Sequence, residues 1–271
     1  MQKRPVGIFD SGFGGLTVLK AIVDLMPYED IVYFGDSARY PYGPKSKGEV
    51  TSFSLQIVKY LKDLYDVKMV VVACNTASAF ALAELERAFD GPIVGMIEPG
   101  ARSLVSSADG DSIGVIGTLG TISSGAYQER IAQLAPQKHL TCAATPGFVE
   151  FVERGEVNSE QLVVLAERLL RPIIDRKVES LLLGCTHYPF IARVISQVVG
   201  EETILVSSSE ETAFQVRRDL IDGGIDEKDD SFGLIRCITS GDAQDFRRIG
   251  KLLLDIDFED IISRSFESDN P

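Results

Sequence analysis

Two cysteines of this chain sit in matching surroundings. Cys74 lies in VVVACNTASAF (residues 70–80) and Cys185 in LLLGCTHYPF (residues 181–190), each after an apolar run and a small residue and before polar side chains. A thiol ordinarily titrates near about 8.5, and a helix N-terminus lowers that value into the working range of a general base. Asn75, Thr76 and Thr186 follow the thiols as candidate N-caps, so each cysteine is expected at a strand-to-helix corner. Two such groups on opposite faces of one carbon can take its proton from one side and return a proton from the other. That inverts the centre and needs no cofactor. Other uses of the pair fit less well. There is no C-x-x-C, and His139 and His187 are the only histidines, which leaves no zinc spacing. A disulfide is out of keeping with a reducing cytoplasm. A nucleophile built from Cys185 and His187 leaves Cys74 without a role. The remaining cysteines, Cys142 and Cys237, read as core residues.

The segments that must hold these corners alternate between short β-rich runs and longer helical ones, the pattern of a parallel α/β fold. Candidate strands cover residues 5–9, 30–35, 68–73, 92–96, 112–117, 139–144, 179–184 and 202–206. Helical spacing runs through residues 49–65, 160–176 and 242–255. The order contains a duplication: VGIFDSG from residue 6 resembles IGVIGTL from residue 113, and the two cysteine corners are separated by nearly the same offset. Two similar α/β halves are therefore expected, each with a mainly parallel sheet flanked by helices and with a cleft between them. Residues 1–97 and 208–264 would form the first, 98–207 the second, and 265–271 a frayed tail. Ligands of open parallel sheets bind beyond the carboxyl ends of the strands, where Asp10, Ser11, Cys74, Thr118 and Cys185 fall.

Composition narrows the ligands. The 271 residues are 45% apolar and 25% charged with a formal net charge of −13, and no Lys/Arg stripe is present. Nucleic acid and anionic membrane are poor partners for such a surface. No apolar run approaches a membrane span of roughly 20 residues, and MQKRPVGIF is no signal peptide, so a cytoplasmic protein is expected. The glycine-rich FDSGFGGLTV (residues 9–18) follows a strand and opens a helix, as dinucleotide sites do. Thr17, however, stands where the third fingerprint glycine belongs, and Asp10 would repel a pyrophosphate. An acid there suits an ammonium group, or a thiol in need of a proton relay. Gly12, Gly14 and Gly15 can equally serve a tight turn.

Taken together, FDSGFGGLTVL, GDSARYPYGPKS, ACNTAS, GVIGT and LLGCTHYP resemble the signature segments of bacterial glutamate racemases, in the cofactor-independent aspartate/glutamate racemase superfamily. The likeness runs in order over roughly residues 5–260. It implies two pseudo-symmetric α/β domains and interconversion of L- and D-glutamate, supplying D-glutamate for peptidoglycan, with no cofactor and no metal. By matching position Cys74 and Cys185 are the acid/base pair, Asp10 supports one thiol, and Glu153 with His187 supports the other. Glu153 is taken from PGFVEFVERG (residues 146–155), where Glu150 is the alternative. Substrate contacts carried over are Ser11, Asn75, Thr76, Thr118, Thr121 and Thr186 around the polar groups, and Tyr42 with Gly43 at the carboxylate end. The resemblance further implies a homodimer, with Cys74 deprotonating D-glutamate and Cys185 L-glutamate. The competing readings are an aspartate racemase and a catalytically idle amino-acid-binding module. Binding alone has no need of two thiols.

Overall fold

The computed structural model describes residues 4–228, 231–254 and 260–266. The chain begins β1 (Val6–Asp10), α1 (Leu16–Leu25), β2 (Ile31–Gly35), α2 (Lys47–Tyr65), β3 (Met69–Val72), α3 (Asn75–Ala88) and β4 (Ile93–Gly95). Helix α4 (Ile97–Ser107) then leads to β5 (Ser112–Gly117), α5 (Leu119–Ser123), α6 (Ala126–Leu134), β6 (His139–Ala144) and α7 (Phe148–Glu153). Next come α8 (Glu160–Leu169), α9 (Arg171–Arg176), β7 (Ser180–Gly184), a 3-10 turn (Tyr188–Ile191), α10 (Ala192–Val199) and β8 (Ile204–Ser207). Helix α11 (Ser208–Asp222) carries the chain to β9 (Ile235–Thr239), α12 (Ala243–Leu254) and β10 (Ile261–Ser263).

Among the described residues every strand pair is parallel. One sheet has the order β10-β9-β2-β1-β3-β4 and the other β6-β5-β7-β8. Strands such as β1 (VGIFD), β3 (MVVV) and β7 (SLLLG) are buried along their whole length. Continuous burial is what a parallel sheet covered by helices on both faces demands. The repeat seen in the sequence has a topological counterpart, for β2-β1-β3-β4 and β6-β5-β7-β8 follow the same order with β1 and β5 as equivalents. Cys74 follows β3 and Cys185 follows β7, so the two corners are equivalent positions of a duplicated sheet.

Three expectations change. The periodic stretch 160–176 is two helices, α8 and α9, because Pro172 in the first turn of α9 cannot continue the ladder of α8. β9 and β10 were not expected as strands; both join the first sheet, β9 beside β2 and β10 beyond it at the edge. The tail expected to fray from 265 is anchored at Phe266, which packs against Phe34 and Tyr60. Residue 255 of the last expected helix and residues 267–271 lie outside the described residues. Among the described residues, no helix is long and apolar enough to cross a membrane.

Candidate active site

At the carboxyl ends of β1, β3, β5 and β7 a small, narrow cleft opens between the two sheets. It is lined by Ser11, Tyr42, Gly43, Cys74, Asn75, Thr76, Thr118, Cys185, Thr186 and His187, all singled out above, and also by Tyr40, Pro41 and Val149. Asp10, Thr121 and Glu153 stand directly behind that lining, bonded to it or coupled to it by charge. Larger hollows exist elsewhere, near Arg4 and Leu234 and between α1 and α11, but neither holds a thiol.

On the first side, Cys74 is the N-cap of α3. Its sulfur accepts the N–H of Ala77 at 3.5 Å and is hydrogen-bonded with Ser11 Oγ at 3.7 Å. The expectation that the helix terminus would bring this thiol toward neutrality is not met. Burial and the negative charge of Asp10 outweigh the two hydrogen bonds and push it up to about 12. Asp10 itself is fully buried. Its Oδ2 accepts the N–H groups of Gly12 and Gly15, both at 3.0 Å, and so closes the glycine-rich turn, while Oδ1 has no partner.

On the second side, Cys185 Sγ lies 3.8 Å from His187 Nδ1, and His187 Nε2 lies 2.9 Å from Glu153 Oε1. Glu153 is thus the carboxylate that meets His187, and exposed Glu150 lines an adjoining recess instead. Burial opposes a charge on His187. Its bonds to Cys185 and Glu153, and their negative charges, outweigh that penalty, and the imidazole is pushed up to about 10. A protonated ring donates to both neighbours and puts a positive charge beside the Cys185 sulfur, the counter-charge a thiolate needs. Thr186 caps nothing, since the corner runs into the 3-10 turn with His187 in its capping position.

Hydroxyls and amides complete the lining. Thr76 Oγ1 is 2.8 Å from Thr118 Oγ1 and 3.1 Å from Thr121 Oγ1, a triad bridging the two sheets' loops. The carbonyl of Gly43 accepts the N–H of Gly120 at 2.8 Å. The Tyr42 hydroxyl is committed to Asp36, which also accepts from Ser240 and Arg39, so Tyr42 offers the cleft its ring and backbone. Asn75 Nδ2 donates to the Tyr127 hydroxyl at 2.9 Å, and Asn75 Oδ1 has no partner. Tyr127, buried in α6, carries no chemical signal in the sequence. Nothing in its helical setting revealed this bond, which forms only where α6 meets the start of α3. Tyr40 had a signal, its place in YPYG, but two of its neighbours, His187 and Glu153, come from the other half.

Two thiols, each with its own acid partner, thus stand on equivalent corners and face one small cleft. Residues 14–213 match the model of the Asp/Glu/hydantoin racemase family, and the chain belongs to that family. Among its relatives, the glutamate racemase of Acidothermus cellulolyticus is 44% identical over 256 residues, 94% of this chain and 96% of that one. Glutamate racemase isoform RacE1 from Bacillus anthracis superposes with a TM-score of 0.94 at 35% identity, covering 98% of this chain and 99% of the other. The Francisella tularensis glutamate racemase, solved with D-glutamate, gives 0.92 at 31% identity over 99% and 100%.

Proposed function

We propose that this protein is a glutamate racemase that interconverts L- and D-glutamate by two-base proton transfer at Cα. The observation that carries the reading is the convergence of Cys74 and Cys185 on one cleft, each backed by its own buried acid partner. One sulfur, as thiolate, takes the Cα proton. The planar carbanion left behind receives a proton from the thiol on the opposite face, and the two cysteines exchange protonation states. Protonated His187 supplies a counter-charge for Cys185, whereas Asp10 holds Cys74 in its protonated form. The unpartnered Oδ1 of buried Asp10 supports a role for that carboxylate as acceptor from the Cys74 thiol or the substrate ammonium. Thr76, Thr118, Thr121, Ser11, Thr186 and Asn75 supply neutral donors for carboxylates, as a chain of net charge −13 must. The halves are residues 1–97 with 208–264 and residues 98–207. The D-glutamate formed would serve peptidoglycan synthesis, and Cys185 would act on the L enantiomer and Cys74 on the D.

Circular-dichroism polarimetry in D2O with L-glutamate and, separately, L-aspartate tests this, with deuterium at Cα read by mass spectrometry. Loss of optical signal with deuterium incorporation for glutamate alone is expected. Turnover of aspartate alone would change the substrate, and absence of exchange with either would leave only a binding module.

A further inference from the structure

Tyr40 belongs to the loop between β2 and α2, in the first half, yet it packs against the apolar core of the second. Its ring stands 6.2 Å from that of His187 and 6.3 Å from that of Phe13. A Cβ on Gly12 would come within 2.9 Å of it, so a glycine there is what allows the tyrosine to lie across the cleft. The hydroxyl oxygen is sealed from solvent and has no partner in hydrogen-bonding geometry. A buried donor in that condition calls for an acceptor.

The charged groups facing it are Glu153 and Glu150 from α7 and Cys185 after β7, with His187 beside the ring. Burial first and Glu153 next keep the phenol un-ionised far above its ordinary range, so toward a carboxylate it acts only as a donor. Glu153 uses Oε1 for His187, which leaves its other oxygen for a second bond. Catalytic hydrogen bonds are often long without substrate and tighten when it binds.

We propose that Tyr40 is a positioning residue for the second thiol: its hydroxyl donates to the Glu153 carboxylate, fixing the group that orients His187 against Cys185. The proposal rests on the racemase reading above. It makes the Cys185 relay dependent on the first half, because the relay is held firmly only while the two halves meet across the cleft.

Tyr40→Phe keeps the ring and removes only the donor, and is expected to melt with the wild type. The enantiomers of glutamate have equal free energies, so kcat/KM must fall by the same factor in both directions, here about tenfold, the rate equivalent of one charge-assisted hydrogen bond. Direction enters through primary isotope effects with 2-deuterated L- and D-glutamate. Tyr40→Phe should skew them in the sense of His187→Asn and against that of Asp10→Asn. Combined with Glu153→Gln, it should cost almost nothing more, because both changes break the same relay. Symmetric isotope effects, or losses that multiply in the double variant, would reduce Tyr40 to packing. The wild type is assayed alongside: an inactive wild type defeats the racemase reading, whereas an active one with an unaltered Tyr40→Phe defeats only the role of Tyr40.

Discussion

His187 is buried and yet built to carry charge, and the sign of that imbalance is measurable. Its imidazole is raised from 6.5 to about 10, burial working against the charge and the bonds to Cys185 and Glu153 prevailing. A folded-state value above the unfolded one means that protonated His187 stabilises the fold fully below about pH 6.5, and that this contribution fades as pH climbs through about 10. Thermal melts of wild type and His187→Gln should therefore differ most at pH 6 and converge above pH 10; a pH-independent gap would mean that the ring is neutral in the fold. Cys74 is the opposite case, a thiol that burial and Asp10 keep protonated up to about 12. The two corners thus differ: burial and Asp10 keep the Cys74 thiol neutral, whereas the Cys185 sulfur lies beside the raised imidazole of His187. The residue types were legible in the sequence. The raised settings of Cys74 and His187 were not, because they depend on burial and on Asp10 and Glu153, which come from other elements of the chain.

At the scale of elements, the glycine-rich turn between β1 and α1 shows how a motif's meaning depends on what lies opposite. FDSGFGG reads in sequence as a tight turn or a phosphate cradle. In the fold, Asp10 ties the turn to its own backbone, and Gly14 abuts the other corner: a Cβ there would stand less than 3.0 Å from Thr186 Oγ1 and His187 Nδ1. Gly14→Ala should consequently wedge the two corners apart. Activity is expected to drop by about 100-fold, the cost of a displacement near 1 Å at a reacting centre, with the melting temperature almost unchanged. Equal activity would show that the corners have slack. The elements most easily read were long and uniformly apolar, such as β3 and β7. β9 escaped because its first two residues, Ile235 and Arg236, are exposed and its pairing partner is over two hundred residues away.

For the whole molecule, activity and stability are anchored at opposite ends of the first sheet. The cleft lies at the carboxyl ends of the strands. At the amino ends, Lys68 Nζ pairs with Glu29 at 2.7 Å and donates to the Ile225 carbonyl, while Glu29 accepts the N–H of Glu227. This nearly buried pair fastens the segment after α11 where it turns back toward β9. Lys68→Met strands the Glu29 carboxylate, and a loss of about 3–5 kcal/mol in denaturant unfolding is expected, as for other broken buried pairs. Racemase activity at 25 °C should persist, since no cleft residue touches the pair. A stability unchanged by the substitution would show that water reaches Glu29.

Apolar runs, the internal repeat and the two cysteine corners determined the fold class and placed Ser11, Cys74, Thr118 and Cys185 at strand ends, because strand periodicity is a local property, while the likeness to glutamate racemases brought the list on the cleft wall to ten of the thirteen expected site residues. Other features depended on the assembled fold: the choice of Glu153 over Glu150, the raised thiol of Cys74, the bond from Asn75 to Tyr127, and the reach of Tyr40 into the other half. Each depends on burial or on a partner far away in the chain. Desolvation and proximity arise only when the two sheets are brought face to face.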